Sequence, residues 1–409
     1  MKILFFDYWL KGVANFNRLI PELRRQCPAA EVKMLHVGSW KEPQEKKVNE
    51  HNGFKSYDIS SYNTSSIYKV LKKERPDVVV ILNIYLLLDK AIIAFCKKLG
   101  IKVVFVAHGR LSSTKAMEEG NARQKKPKKT LKSKLKKEPL FTLANYWNAT
   151  RLHNKPGRFL HTLKEVARHS LSIVYPIKYD EELEADEIMV YYESDREILN
   201  REKGFPEEKI KVTGNPELDA FVNQPIIERK EFYHSSGIDA SPYLLYLDDG
   251  WVEANLITKK AWKNHLREIT QLAKEAGLKL VMKLHPRTPL EQYADFFTEL
   301  GIKAFKNEVD FKSLIHYSRN VTSLASTTMS MALFLQKRVI SPRFGEVGEV
   351  FRNYPEDVVH YSTDPLDFKE WLKKTDATAT NTKYLDDNFR LCDGKATQRI
   401  VKEILNEHK

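Results

Sequence analysis

The side chains best suited to chemistry follow two apolar runs of the sequence. Asp248 and Asp249 come directly after the run Tyr243–Leu247, and His285 comes directly after the run Leu280–Leu284. Such runs predict buried strands, and open α/β sheets bind ligands where their strands end. The carboxylates could remove a proton and the histidine could bind a phosphate. Together they predict transfer of a group from a nucleotide-activated donor.

Asp248 and Asp249 form a pair that could supply a general base. Two adjacent acids can raise each other's proton affinity, and a carboxylate in the useful range can take the proton of an acceptor hydroxyl. Adjacent residues of an extended chain point to opposite sides, so only one of the two is expected to face the acceptor. The alternative is structural, in which both carboxylates bind free backbone amides after Gly250.

The residues around His285 predict a phosphate site. Lys283 and Arg287 add positive charge, and Pro286 ends the strand. His285 is expected to donate a hydrogen bond to a departing phosphate and could also protonate it. A structural or surface histidine is the alternative.

Three hydroxyl residues precede a predicted helix that runs to Gln336. They are Ser326, Thr327 and Thr328. A helix N-terminus offers unpaired amides and positive potential, so these residues are predicted to bind a donor phosphate. Plain capping of the helix is the alternative.

Two further candidates lie in the first half of the chain. His108 ends the predicted strand Lys102–Ala107, where it could contact a substrate, act as a general base, or be a buried structural histidine. Gly214 and Asn215 follow the predicted strand Lys209–Thr213. They are predicted to shape a tight turn before the linker, with direct donor contact as the alternative.

The elements that position these residues alternate between strand and helix along the whole chain. Runs of Val, Ile and Phe separated by amphipathic segments predict parallel sheets covered on both faces, an α/β fold class. The predicted organisation is a Rossmann-like acceptor domain at 1–224, a linker at 225–241 and a Rossmann-like donor domain at 242–409. The two domains are expected to face each other across a cleft.

Composition limits the possible classes of protein. The chain has 409 residues, of which 42% are hydrophobic and 30% charged, and it contains no apolar run of eighteen residues. These values are ordinary for a globular protein and exclude an integral membrane helix. Its three cysteines lack metal-ligand spacing, so we expect a cytoplasmic protein without a metal or other cofactor.

The net charge of +13 is concentrated in a basic arm at 115–138. The segment Arg123–Lys137 holds nine Lys or Arg and no acid, and aromatic residues follow it at 139–147. Polybasic charge beside aromatics predicts binding to an anionic membrane surface. The alternatives are a solvated loop or nucleic-acid binding, although no recognisable nucleic-acid module accompanies the arm. The sequence does not indicate an oligomeric state.

The order of the motifs resembles that of bacterial GT-B sialyltransferases, which carry an acidic-acidic-Gly triplet, a His-Pro pair and a serine pair. The matching residues here are Gly214-Asn215-Pro216, Asp248-Asp249-Gly250, His285-Pro286 and the cluster Ser326 to Thr328. The resemblance covers the second half well and the first half as general architecture. It implies a GT-B fold, a CMP-activated nonulosonic acid donor, single displacement with inversion, and Asp248 as the base.

Two other families share parts of this pattern. Wall teichoic acid polymerases have a His-Gly pair linked to catalysis, so His108 competes with Asp248 as the base, and a CDP-glycerol glycerophosphotransferase is an alternative function. UDP-N-acetylglucosamine 2-epimerases resemble the chain in the Gly-Asn-Pro turn. The chain departs from them at 248–251, where they carry His-Arg and Glu-Asn, and at 326–331, where they carry a glycine-rich turn and paired glutamates.

The resulting prediction is a glycosyltransferase on the inner face of the cytoplasmic membrane. Its expected partners are a nucleotide-sugar donor and a surface glycan or lipid-linked saccharide as acceptor. A binding protein that kept the fold without the chemistry is the alternative from another class.

Overall fold

The structure is a computed structural model that describes residues 1–40, 46–84, 86–111, 137–168, 180–347, 352, 354–374 and 382–406. The chain divides into two compact units. The described part of unit 1 comprises the described residues within 1–111, 137–219 and 391–406, and that of unit 2 comprises the described residues between 220 and 390.

The described part of unit 1 contains an eight-stranded sheet in the order β3-β4-β2-β1-β5-β6-β7-β8. The strands are β1 (Lys2–Asp7), β2 (Glu31–His36), β3 (Val48–His51), β4 (Phe54–Asp58), β5 (Val78–Ile81), β6 (Lys102–Val106), β7 (Glu187–Val190) and β8 (Ile210–Val212). All neighbours are parallel except β3 and β4, which are antiparallel. The central strands are buried along their length, as expected for a sheet covered on both faces.

Helices connect these strands. They are α1 (Val13–Asn17), α2 (Ile20–Gln26), α3 (Ile67–Glu74), α4 (Leu87–Leu99), α5 (Lys137–Leu152), α6 (Pro156–Arg168), α7 (Glu193–Glu197) and α8 (Pro216–Asn223), whose last four residues lie in unit 2. The Ser66 hydroxyl caps α3 by accepting from the Lys69 amide. Helix α4 is buried from Leu87 to Cys96 and ends at Gly100 in the left-handed conformation, φ 69°.

The described part of unit 2 contains a six-stranded parallel sheet in the order β11-β10-β9-β12-β13-β14. The strands are β9 (Tyr243–Leu247), β10 (Lys279–Lys283), β11 (Lys303–Phe305), β12 (Asn320–Thr322), β13 (Val339–Pro342) and β14 (Val359–Ser362). The helices are α9 (Arg229–Ser236), α10 (Lys259–Glu275), α11 (Ala294–Leu300), α12 (Phe311–Tyr317), α13 (Met329–Phe334), α14 (Pro365–Lys373) and α15 (Thr382–Phe389).

Helix α10 shows how the sequence builds the core of unit 2. Thr258 caps its N-terminus by accepting from the Ala261 amide at 3.1 Å. Its apolar residues recur at helical spacing, so Trp262, Leu266 and Ile269 pack with the side chains of β9 and β10 in one buried cluster. This packing fixes strands β9 and β10, and with them the positions of the residues that follow these strands.

The last helix of the chain, α16 (Ala396–Leu405), belongs to unit 1. The Asp219 carboxylate accepts from the amides of Ala396 and Thr397 at 2.9 and 2.7 Å, and so caps this helix. The Arg399 guanidinium donates to the Thr213 carbonyl at 2.7 Å. Residues 391–406 therefore complete unit 1 after the chain has passed through unit 2.

These boundaries differ from the predicted ones. Unit 2 begins at residue 220, helix α9 occupies part of the predicted linker at 225–241, and the end of the predicted donor domain packs on unit 1. The contacts responsible join Asp219 and Thr213 to residues about 180 positions later, as the separations of 177 and 186 residues show. Helical periodicity within a short window carries no information on such contacts.

Candidate functional site

The first candidate site lies at the carboxyl edge of the sheet of unit 2. Strand β9 is central there, since Leu247 pairs with Lys283 of β10 on one side and Tyr246 pairs with Thr322 of β12 on the other. The loops that follow these three strands carry most of the predicted site residues. The parallel register therefore brings them to one edge.

Asp248 faces the β10 side of this edge and is buried. Its Oδ2 accepts a hydrogen bond from the His285 amide at 3.1 Å and another from the Thr288 hydroxyl. The carboxylate thus ties the end of β9 to the loop after β10. This geometry gives Asp248 a positioning role, while its predicted action as a base stays a prediction.

Asp249 points the opposite way, as the alternation of an extended chain requires. Its Oδ1 accepts from the Ala325 amide at 2.9 Å, and its Oδ2 accepts from the Leu324 amide and the Ser323 hydroxyl, both at 3.2 Å. Burial and the nearby charge of Asp248 raise the pKa of Asp249 to about 7, against these hydrogen bonds. Asp249 therefore ties β9 to the loop after β12.

Gly250 allows the histidine to approach this chain closely. Its φ is +62°, and a Cβ at this position would lie 2.6 Å from the His285 Nδ1. A side chain here would therefore be strained by the backbone and would collide with the imidazole.

His285 is half-buried, and its hydrogen bonds fix the position of the ring proton. Nδ1 lies 3.1 Å from the Arg287 amide nitrogen, which can only donate. Nδ1 is therefore the acceptor, and a neutral His285 carries its proton on Nε2. Burial, followed by the charge of Arg287, lowers the pKa of His285, which favours this neutral form. The ring presents a preformed N–H donor.

Positive charge accompanies this donor. Burial lowers the pKa of the half-buried Lys283 amine, whose Nζ lies 5.5 Å from the centre of the Phe311 ring. Pro286 and Arg287 are exposed in the loop that follows. These groups could add electrostatic attraction for a phosphate next to the His285 ring.

Sequence analysis missed Glu253 in this cluster. Its two carboxylate oxygens accept from the Thr288 hydroxyl at 3.3 Å and from the Tyr293 hydroxyl at 3.1 Å. Burial, followed by the hydrogen bond to Glu253, raises the pKa of Tyr293 to about 12. Nothing in the local sequence singles out Glu253, because the turn at residues 250–255 brings it back toward the loop after β10.

The hydroxyl residues after β12 bond mainly to one another. The Ser326 and Thr328 hydroxyl oxygens are 2.7 Å apart, and the Thr328 amide donates to Ser326 at 3.3 Å. Helix α13 begins at Met329 and has six residues, and Thr327 is exposed before it. The predicted phosphate contacts of this cluster stay predictions.

The second candidate site lies at the carboxyl edge of the sheet of unit 1. His108 follows β6 and is exposed, and its Nδ1 lies 2.8 Å from the Leu82 carbonyl oxygen, which can only accept. A neutral His108 therefore carries its proton on Nδ1 and presents the Nε2 lone pair to the solvent. Asp7 at the end of β1 interacts electrostatically with this ring, and sequence analysis did not identify it.

Gly214 and Asn215 lie among the contacts that hold the C-terminal segment on unit 1. Gly214 has φ +82°, and a Cβ there would lie 2.2 Å from the Leu391 carbonyl oxygen. The Asn215 side chain donates to the Tyr192 hydroxyl at 3.0 Å and accepts from the Glu217 amide at 2.9 Å. These contacts account for a turn, and the alternative of donor contact stays a prediction.

Three predictions concern the basic arm, membrane-spanning helices and metal binding. The basic arm at 115–138 lies outside the described residues except at 137 and 138, which begin α5. In the described ranges, no helix has the length and apolarity needed to cross a membrane. The same ranges hold no group of three or more His, Cys, Asp or Glu that could bind a metal. The expected absence of a cofactor stays a prediction.

The chain resembles known proteins in its structure. No family model and no curated protein sequence matches this chain. The UDP-GlcNAc 2-epimerase from Methanocaldococcus jannaschii matches with a TM-score of 0.54 and 17% identity, covering 99% of each chain. The UDP-GlcNAc 2-epimerase from Neisseria meningitidis bound to UDP-GlcNAc matches with a TM-score of 0.54 and 15% identity, covering 99% of this chain and 100% of the other.

A variant of the wall teichoic acid polymerase TagF is similar to the same degree. Its TM-score is 0.54 at 15% identity, covering 98% of this chain and 88% of the polymerase chain. At such identities the likeness concerns the fold. The chain therefore has two α/β domains with parallel sheets, of the kind found in GT-B proteins, as its sequence predicted.

Proposed function

We propose that this protein transfers a phosphorylated polyol from a CDP-activated donor, with CDP-glycerol as the first candidate, to an acceptor hydroxyl. The observation that carries the proposal is the tautomer of His285 at the carboxyl edge of the unit 2 sheet. His285 presents an Nε2–H donor, and His108 presents an Nε2 lone pair. Displacement at phosphorus needs a donor to phosphate oxygen, the role proposed for His285, and a base for the incoming hydroxyl, the role proposed separately for His108.

In the proposed reaction, the acceptor oxygen forms a bond to the phosphorus that carries the glycerol. The bond between that phosphorus and the bridging oxygen breaks, and CMP leaves with the electron pair. His108 takes the proton of the acceptor hydroxyl on Nε2. His285 donates its Nε2–H to a phosphate oxygen, where charge must be stabilised, and Lys283 and Arg287 add positive charge.

The likeness to the polymerase TagF supports this choice. One of the matching TagF structures contains CDPG, and others are of variants with a histidine replaced by asparagine or alanine. We infer CDP-glycerol as the donor from that likeness and from the predicted role of the His108-Gly109 pair. The proposal replaces transfer of a CMP-activated nonulosonic acid, which no comparison supports.

The second candidate is an epimerase of UDP-N-acetylglucosamine. Coverage of 99% or more of both chains favours it. The residues weigh against it. This chain has Asp249 and Gly250 at the positions where those enzymes carry a basic and an acidic side chain. Asp249 is already bonded to three groups of the β12 loop.

We also propose that the acceptor is a glycan or lipid-linked saccharide at an anionic membrane. The nine basic residues of Arg123–Lys137 support this part of the proposal. Co-sedimentation with vesicles containing anionic lipid should fall steeply with salt if the arm binds them. Equal binding to uncharged vesicles would contradict an electrostatic arm.

The central experiment measures ligand binding and turnover together. Thermal unfolding is followed with CDP-glycerol, CMP, UDP-GlcNAc and a CMP-nonulosonic acid, for the wild type, His285→Ala and the control His316→Ala. His316 is an exposed histidine of unit 2. We expect CDP-glycerol to raise the unfolding temperature in the wild type and the control and to do so much less in His285→Ala.

Turnover is followed by ³¹P NMR with a saccharide or lipid-linked acceptor. Release of CMP from CDP-glycerol, dependent on acceptor, would support the proposal. Conversion of UDP-GlcNAc without any action on CDP-glycerol would replace it with the epimerase function. Turnover confined to the CMP-nonulosonic acid would restore the sialyltransferase-like prediction.

A further inference from the structure

We propose that Asp7 is a positioning residue for His108, with its carboxylate held beside the imidazole to stabilise the charged ring, while the buried neighbour Asp89 stays neutral. The inference rests on the proposed function, in which His108 takes a proton. It adds a negatively charged group next to the charged form of this histidine.

The register of the sheet brings these groups together. Strand β5 lies between β1 and β6, and Ile81 pairs with Phe6 on one side and with Phe105 on the other. The next residue of β1 is Asp7, and the next residue after β5 is Leu82. Because the His108 ring is bonded to the Leu82 carbonyl, the ring lies at the end of β5, beside the end of β1.

The loop after β1 encloses the Asp7 carboxylate. Its Oδ1 accepts from the Tyr8 amide at 2.7 Å. Gly12 closes the other side so tightly that a Cβ there would lie 2.1 Å from Oδ2. This half-buried carboxylate therefore cannot turn away freely toward solvent. Burial raises the pKa of Asp7 to about 6, and the His108 charge acts in the opposite direction.

Asp89 lies in the first turn of α4 and is 1% exposed. Among the described residues its Oδ2 has no hydrogen-bond partner. A charged oxygen in that position would be costly, and burial together with the charge of Asp7 raises the pKa of Asp89 well above its usual range. The pair is therefore asymmetric, with the proton on Asp89 and the negative charge on Asp7.

The charged neighbour Lys90 does not remove this asymmetry. Lys90 acts on Asp89 in the direction of ionisation, but the Lys90 ammonium is paired with the buried Glu184 carboxylate. Near neutral pH the carboxylate that acts on His108 is thus Asp7. When His108 accepts a proton, the resulting positive charge is stabilised by this negative neighbour.

The experiment measures the protonation of His108 directly, without an activity assay. The full chain, labelled at histidine with ¹³C and ¹⁵N, is titrated by NMR, and the His108 signal is assigned by its loss in His108→Gln. The variants are Asp7→Asn, Asp89→Asn and the control Asp77→Asn. Asp77 bonds the Lys2 amide and precedes β5, at the amino end of the same sheet.

We expect the ratio of charged to neutral His108 near pH 6.5 to fall about tenfold in Asp7→Asn, because an adjacent opposite charge shifts proton affinity by about one unit or more. Asp89→Asn and Asp77→Asn should change the ratio less than about twofold. An unchanged ratio in Asp7→Asn would overturn the proposal. A change in Asp89→Asn as large as in Asp7→Asn would overturn the placement of the proton.

A titration of the wild type tests the same coupling between Asp7 and His108 even if a variant fails to fold. The His108 signal should show a second, smaller step as Asp7 ionises, since the pKa of Asp7 is raised to about 6. A single-step curve would count against the coupling. The rate assay then separates the two proposals, since full turnover in His108→Gln would remove the proposed base even if the coupling to Asp7 were found.

Discussion

The two sheet edges use the same residue type for opposite purposes. In unit 2 the His285 Nδ1 accepts from a backbone amide, and in unit 1 the His108 Nδ1 donates to a backbone carbonyl. The first ring can give a hydrogen bond through Nε2, and the second can take a proton there. The chemistry of each histidine thus follows from the backbone group that faces its Nδ1, which residue type alone does not reveal.

Different local structures produce these two backbone partners. After β10 the chain turns back on itself, with the turn held by Asp248 and given room by Gly250, so an amide reaches the ring. After β6 the His108 ring instead reaches sideways to the neighbouring strand end, where Leu82 has a free carbonyl. An amide and a carbonyl are the two outcomes available at a strand end.

The largest expected effect comes from removing the proposed base, His108. In His108→Gln the side chain has no titratable nitrogen, so we expect kcat for CMP release to fall about 10²- to 10⁴-fold with little change in KM. The rate is measured under saturating donor. The control is His161→Ala, which alters an exposed histidine of α6 in the same unit. A loss below about tenfold would mean that His108 is not the base.

The same substitution at position 285 should be far milder. Glutamine can place an N–H where the His285 Nε2–H lies, so His285→Gln is expected to keep activity within about tenfold, whereas His285→Ala should lose about a hundredfold. Both rates are compared with that of the wild type at equal donor concentration. Equal losses in the two variants would contradict a hydrogen-bond donor role.

Adding one methyl group at Gly250 should disturb His285 without affecting His108. In Gly250→Ala the new Cβ would lie 2.6 Å from Nδ1, so we expect loss of the nucleotide-induced thermal shift and destabilisation of about 1 to 2 kcal/mol. Gly277→Ala is the matched control, since φ is +74° there and no atom lies within 4 Å of the added Cβ. The control should show a similar backbone cost with normal nucleotide binding.

An effect on stability alone is expected from the Thr288 hydroxyl, which lies between two carboxylates. Thr288→Val keeps the shape but removes the donor to Asp248 and Glu253. We expect a loss of about 1 to 2 kcal/mol in the free energy of unfolding, measured by urea titration. Thr298→Val is the control, because its hydroxyl bonds a carbonyl on the exposed side of α11. Equal losses in both variants would show that the buried Thr288 hydrogen bonds contribute no more to the free energy of unfolding than the exposed one of Thr298.

The last prediction concerns the pH dependence of stability. The pKa of Asp249 is raised by burial from 3.8 to about 7, so the folded state binds the proton more tightly than the unfolded state. Stability from this group is therefore present below about pH 4 and is lost as the pH rises through about 7. A shift of about three units corresponds to about 4 kcal/mol, so we expect the fall in the unfolding free energy between these pH values to be smaller in Asp249→Asn than in the wild type by up to that amount.

The regular parts of the fold were predictable because they depend on local patterns. The apolar run Tyr243–Leu247 is strand β9, and the predicted strand Lys102–Ala107 is β6 (Lys102–Val106), which is one residue shorter. The hairpin of β3 and β4 was not predicted. Strand β3 is at the edge of the sheet and largely exposed, so its sequence lacks the apolar signal of a buried strand.

The candidate site was predictable where it follows strand ends. The alternation of an extended chain predicts that Asp248 and Asp249 face opposite sides, and they contact the loops after β10 and β12 respectively. The tautomers of the histidines could not be predicted, because they depend on single backbone atoms. Asp7 and Glu253 were missed for a similar reason, since their partners come from distant parts of the chain.

The return of α16 to unit 1 has a consequence for synthesis on the ribosome. Unit 2 is complete once residue 390 has emerged, whereas the Thr213 carbonyl and Asp219 carboxylate must wait for Arg399 and the α16 amides. The half of the protein made first is therefore finished last. During that interval the surface of unit 1 that α16 later contacts stays exposed, and truncation before residue 391 should leave it exposed permanently.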